Sequence, residues 1–161
     1  GFMLPAISFG SKVNFSEHQK DNLKFAWDYG KTSDIEHEDI CYIFSAIMWK
    51  ESSARTDLKD KPGHHSYGPF QIYLPTLRSR FKQKGLRYSD KELKELMKDR
   101  YYSATFAEEE LSSWLKVRNG DMFKALASYN AGYNWKISRG YARDVLNKAS
   151  YLKKHGDFLE N

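Results

Sequence analysis

Apolar positions along this chain recur with a helical period, interrupted by polar, glycine- and proline-marked breaks. Ser16 caps a first helical run that extends to about Tyr29, with Gly30 as the expected stop. Ser33-Asp34 opens a second helix. Its apolar residues Ile40, Ile43, Phe44, Ile47 and Met48 fall on one helix face. Glu51 continues that face, following Ile47 and Met48 at helical spacing. From 52 to 73 the period disappears. Pro62-Gly63 and Gly68-Pro69 punctuate this stretch, and Phe70, Ile72 and Tyr73 alternate around Gln71, which predicts a long loop carrying one short β-hairpin. A stretch this long without helical period is usually functional. Helical patterns then resume from Pro75-Thr76 to about Lys84, from the Ser89-Asp90 cap to about Met97, and from Tyr101 to Lys116 with Glu108, Glu109 and Glu110 on its outer side. Two more run from Gly120-Asp121 through Tyr129 and from about Ser138 to Lys154. Asn130 and Gly132 suit a left-handed turn after the first of these two. Residues 1 to about 14 read as an irregular arm. The fold class is mainly α with a minor β element.

Composition narrows the function. The 161 residues suffice for one domain with one hydrophobic core, and 40% apolar content argues against disorder. Eleven tyrosines suit a cleft for a polar ligand, although most of them can equally pack a core and its rim. A net charge of +5 favours anionic partners without choosing among them. Acids interleave with the bases, as in Lys91-Glu92-Leu93-Lys94-Glu95, which describes a solvated helix face and no nucleic-acid stripe. Cys41 is the single cysteine, so the chain holds no internal disulfide, and its apolar setting reads as packing. The five histidines show no zinc spacing; no metal and no organic cofactor are expected. No apolar run is long enough to span a membrane. The mildly apolar start, Gly1 to Ile7, lacks a basic leader and does not read as a signal peptide.

Glu51 carries the sharpest chemical expectation. Burial beside Ile47 and Met48, at the negative end of its own helix, would raise its pKa and keep it protonated as a general acid. An exposed glutamate at a helix end fits the period equally well. Many glycosidases pair two carboxylates. Asp57 and Asp60 are the candidates for a second, and both sit in a polar, lysine-rich stretch that reads as surface. If Glu51 works alone, the sugar must supply its own nucleophile, which an N-acetyl group can do.

Three blocks in order carry a resemblance. Glu51-Ser52, then Gly68-Pro69-Phe70-Gln71-Ile72 with Pro75-Thr76, then Ala127-Ser128-Tyr129-Asn130-Ala131-Gly132 resemble the soluble lytic transglycosylases, the SLT-like family. That family's pattern is Glu-Ser, Gly-Leu-Met-Gln-Ile with a downstream Pro-x-Thr, and Ala-x-Tyr-Asn-Ala-Gly. Tyr141, in Gly140-Tyr141-Ala142-Arg143-Asp144-Val145, matches a late tyrosine in part. The resemblance implies a lysozyme-like fold of goose or SLT type. It implies one domain over 1–161, with an arm and helix over 1–33 and a catalytic core over 37–150. It makes Glu51 the acid that later acts as base, and Gln71, Tyr129, Asn130 and Tyr141 cleft residues. Ser66 is the choice for a family serine near the substrate N-acetyl group. The implied partner is peptidoglycan, cut between N-acetylmuramic acid and N-acetylglucosamine to leave a 1,6-anhydro end. Localisation would be periplasm and cell wall, or a phage particle; a secretion apparatus is also open, and a monomer is expected. Two departures stand out: Pro69-Phe70 replaces Leu-Met, and a longer interval before Gln71 holds His64-His65. A hydrolytic muramidase using Asp57 or Asp60 is the nearest alternative, and a non-catalytic glycan-binding module is further off.

Overall fold

The computed structural model describes residues 12–161. Most of the expected N-terminal arm, and the start read against a signal peptide, lie outside these residues. The first helix, α1 (Glu17–Lys31), begins where its sequence demands: Ser16 and Gln19 form a reciprocal capping box. The expected stop at Gly30 is not observed. Gly30 lies inside the last turn, and a Cβ there would stand 2.6 Å from the Cα of Cys41. Its missing side chain therefore serves close helix packing and not termination.

The next helix, α2 (Ile40–Ser52), starts later than expected from Ser33-Asp34. Ser33 spends its hydroxyl on the backbone N–H of Ile35, a local turn that competes with helix. Ile43, Phe44, Ile47 and Met48 are fully buried in α2, the central helix of the core. It packs between α1 and α7 (Arg139–His155). The chain leaves α2 through two consecutive non-glycine residues at positive φ, Ser53 at 55° and Ala54 at 57°. Side chains of α1 hold this strained exit: Asn22 donates to the Ala54 carbonyl and Gln19 to the Ser53 carbonyl, each at 2.9 Å. Positions of this kind cost about 1–3 kcal/mol each and persist only where neighbours impose them.

The β-hairpin is present and minimal. Strands β1 (Ser66–Tyr67) and β2 (Ile72–Tyr73) pair antiparallel, with Ser66 opposite Tyr73 and Tyr67 opposite Ile72. Phe70 at the turn is fully buried and anchors it. Gly68 has φ of 79°, and a Cβ would fall 1.7 Å from the Met97 carbonyl oxygen. Only glycine lets the hairpin lie against the end of α4 (Asp90–Lys98).

The remaining helices are α3 (Leu74–Gln83), α5 (Arg100–Val117) and α6 (Met122–Ala131). Ser89 and Glu92 close a second capping box on α4, while Asp99 and Asp121 cap α5 and α6. Asn130 is helical, and only Gly132 leaves α6 at positive φ. A 3-10 turn, Trp135–Ser138, leads into α7, and a second, Asp157–Leu159, returns the chain to α1. The outward placement expected for the acidic triplet holds for Glu109 alone. Glu110 is largely covered and pairs with Arg80 at 2.7 Å, and Glu108 accepts from Tyr29 at 3.0 Å. The fold is mainly α with a small antiparallel β element, as the sequence predicts.

Candidate active site

Glu51 sits in the last turn of α2, half-buried, and lines an opening. Three facts of the fold place it there. The buried stripe of α2 points its face into the core. The Ser53-Ala54 reversal ends the helix at once. Ser52, the next residue, is buried and returns its hydroxyl to the Met48 carbonyl at 3.1 Å. Burial pushes the Glu51 pKa up from 4.5 to about 7. Two weaker effects oppose that rise: a hydrogen bond donated by the Tyr141 hydroxyl to Oε2 at 3.0 Å, and the charge of Lys50. Desolvation wins, so at neutral pH a large share of Glu51 keeps its proton.

Tyr141 comes from α7 and stacks on Tyr129 of α6, with ring centroids 6.5 Å apart. Burial, then the nearby Glu51 charge, holds both phenols far above their usual range. Both phenols are therefore neutral around pH 7, and Tyr141 is the one that donates to Glu51. Beneath them, Asp144 lies one helical turn after Tyr141. It has Lys50 Nζ and Lys148 Nζ each at 2.8 Å, and Lys148 is buried. Despite the opposing effect of burial, the two ammonium groups hold the Asp144 carboxyl below its usual value. This cluster ties α2 to α7 directly behind the Glu51–Tyr141 bond. Sequence reading did not single it out, although Asp144 and Lys148 stand four apart on one helix and Lys50 adjoins Glu51.

The hairpin supplies the opposite wall. Glu51, Ser66 and Gln71 line one cavity of about 260 Å³ together with His64 and Lys98. Gln71 sits at a φ of 49°, an unusual backbone for this residue, and its amide is committed at both ends. Its Nε2 donates to the Gly68 carbonyl at 2.9 Å, and its Oε1 lies 2.8 Å from His64 Nε2. The histidine inside the long interval is thus the partner of Gln71. Asp57, expected at the surface, is exposed near His18. Asp60 is exposed too, yet it lines the Glu51 cavity, with Lys98 Nζ 3.3 Å from its Oδ1.

Tyr129 and Asn130 face a different opening. A cavity of about 730 Å³ runs along α6 and is walled by these two residues, α3 and α5. Asn130 donates to the Ser138 hydroxyl at 2.8 Å, which fixes the start of α7. Of the residues singled out in the sequence, the fold therefore gathers Glu51, Ser66 and Gln71 in one opening. Tyr141 is hydrogen-bonded to Glu51 and stacks on Tyr129, which lines the second opening. Asn130 belongs to the second alone. Among the described residues no cluster of metal-ligating side chains occurs, and no helix is long and apolar enough to cross a membrane.

Comparison with known proteins adds two findings. Residues 36–150 match the family described as the transglycosylase SLT domain. A protein of Enterobacteria phage T4, described as an uncharacterized 20.7 kDa protein in the vs-regB intergenic region, is 41% identical over 159 residues, covering 92% of this chain and 88% of its own length. No solved structure matches the chain.

Proposed function

From the premise that this chain belongs to the transglycosylase SLT domain family, we propose that it cleaves peptidoglycan strands without adding water. The family supports transglycosylase-type action on peptidoglycan in general. The finer reading assigns the β-1,4 bond between N-acetylmuramic acid and N-acetylglucosamine, with Glu51 as the acid and base. The observation that carries it is the Glu51 carboxyl, which lines a cavity, accepts a hydrogen bond from Tyr141 and has its pKa raised by burial to about 7.

Protonated Glu51 gives its proton to the glycosidic oxygen as the C1–O bond breaks. The N-acetyl carbonyl of the muramyl residue shields C1 from the other side, so no second carboxylate is needed at that step. The muramyl 6-hydroxyl then attacks C1. Glu51, now a carboxylate, takes the proton of that hydroxyl and returns to its starting state. One C–O bond breaks, one forms, and no water is consumed. Tyr141 stabilises the carboxylate between the two halves. Ser66 and Gln71 contact the sugar beside the scissile bond, and Tyr129 and Asn130 extend contact along α6.

The whole of 1–161 acts as one unit in this reading, with the catalytic core over 37–150. One continuous buried core from α1 to the turn after α7 supports that unity. The net charge of +5 suits a polymer bearing peptide carboxylates. The T4 relative supports a phage-associated setting at the cell wall.

Clearing of purified cell walls by the protein beside its Glu51→Gln variant tests the proposal. The variant should clear about a thousand-fold more slowly while keeping its fold. Equal clearing would sink Glu51 as the acid. A second reading has one observation in its favour: Asp60 lines the Glu51 cavity and could activate water as in a muramidase.

A further inference from the structure

Tyr133 lies one residue beyond the last matched motif, and neither it nor Trp114 has a role in the reaction above. At 77% it is the most exposed large hydrophobic side chain among the described residues. Its ring meets Trp114 edge-on at 5.0 Å. Arg118 pins its backbone: Nη2 donates to the Tyr133 carbonyl at 3.0 Å, and Nε donates to the Ser128 hydroxyl at 2.8 Å. Ser128 is buried and immediately precedes Tyr129. The backbone at the exposed ring is thus tied through one guanidinium to the helix that carries Tyr129.

Trp114 and Tyr133 both wall the cavity of about 730 Å³ along α6, a size within the ~300–1,000 Å³ range of small-ligand sites. The remaining wall is polar, with Asn130 and Gln83 offering amides. Its cations are already matched: Arg80 pairs with Glu110 and Lys84 with Glu109. A cavity whose charges are internally paired does not select an anion. That disfavours a phosphate or a peptide carboxylate and favours a neutral polar ligand. A sugar ring fits: it presents an apolar C–H face to an aromatic plane and hydroxyls to amides around it. The backbone that carries the ring is already held by Arg118, which lowers the ordering cost of binding.

We propose that Trp114 and Tyr133 form a saccharide subsite of this cavity, which holds a sugar ring of the glycan strand away from the scissile bond. The proposal rests on the glycan reading above, but only on the ligand and not on the reaction.

The test is binding, measured on the Glu51→Gln protein so that cleavage does not interfere. Neutral β-1,4-linked N-acetylglucosamine tetrasaccharide and octasaccharide strands are titrated calorimetrically into it, and into the same protein carrying Tyr133→Ala or Tyr133→Phe. Tyr133→Ala should weaken the octasaccharide about five-fold or more and leave the tetrasaccharide within about two-fold, while Tyr133→Phe keeps the parent affinity for both. The proposal is overturned by equal losses at both lengths, by no loss at either, or by the absence of saturable octasaccharide binding. Release of soluble fragments from purified peptidoglycan by the wild-type protein, followed in parallel, judges the reaction separately. Length-dependent binding without cleavage would sink the proposed reaction and leave the subsite standing.

Discussion

At the scale of single residues, Glu51 couples function to stability through its proton. Its folded-state pKa of about 7 lies above the 4.5 of an unburied glutamate, so the folded protein binds this proton more tightly than the unfolded chain does. The stabilising effect is whole below pH 4.5 and is lost as pH rises through about 7. The cost of charging the site is at most about 3 kcal/mol above pH 7. Glu51→Gln keeps the shape and removes the titration. It should therefore melt higher than the parent at pH 8 and almost level with it at pH 4.5, as thermal unfolding at the two pH values will show. Tyr141→Phe acts on the same equilibrium with the opposite partner. Removing the hydroxyl that stabilises the carboxylate raises the Glu51 pKa further. Since the proposed acid must be protonated, activity should fall on the alkaline side near pH 7 in the parent, and that limb should move upward in the variant. A pH–rate profile with an unmoved limb would separate Tyr141 from Glu51.

At the scale of elements, most helix starts were legible because they depend on neighbours in sequence. Ser16 with Gln19 and Ser89 with Glu92 are local hydrogen-bond exchanges, and the structure uses both. The alternation around Gln71 likewise foretold the hairpin. What failed depended on tertiary contact. Gly30 looks like a helix stop but serves the approach of α1 to α2 at Cys41. Glu110 looks like part of an outer acidic face but is claimed by Arg80, thirty residues earlier. The same limit applies at the candidate site. Periodicity put Glu51 on the apolar face, whereas its bond to Tyr141 and the His64–Gln71 pair join residues that no local pattern relates. Asp60 was read as surface, and it is exposed; only the folded loop shows that it also edges the Glu51 cavity. The hairpin itself hangs on Gly68. Gly68→Ala places a methyl against the Met97 carbonyl on a backbone that side chains rarely adopt. The loss should be about 3 kcal/mol or more by denaturant unfolding. A cost below about 1 kcal/mol would show that the hairpin can lift from α4 without consequence.

At the scale of the molecule, one buried core carries the Glu51 opening and the larger opening along α6, with the stacked Tyr141–Tyr129 pair running from Glu51 to the second. The strained exit of α2 and the hairpin turn bring a desolvated acid to one of them. The other offers aromatic and amide walls whose charges cancel internally. Such an arrangement suits a long neutral backbone held at several points and cut at one. The choice between transglycosylation and hydrolysis then turns on what attacks C1, the substrate's own 6-hydroxyl or a water activated by Asp60. The decisive measurement is the mass of the soluble fragments released from purified peptidoglycan by the wild-type protein, by Asp60→Asn and by Glu51→Gln. The account predicts fragments one water lighter than hydrolysis products from the first two, and none from the third. Fully hydrated reducing ends that vanish with Asp60→Asn would contradict it and make the protein a muramidase.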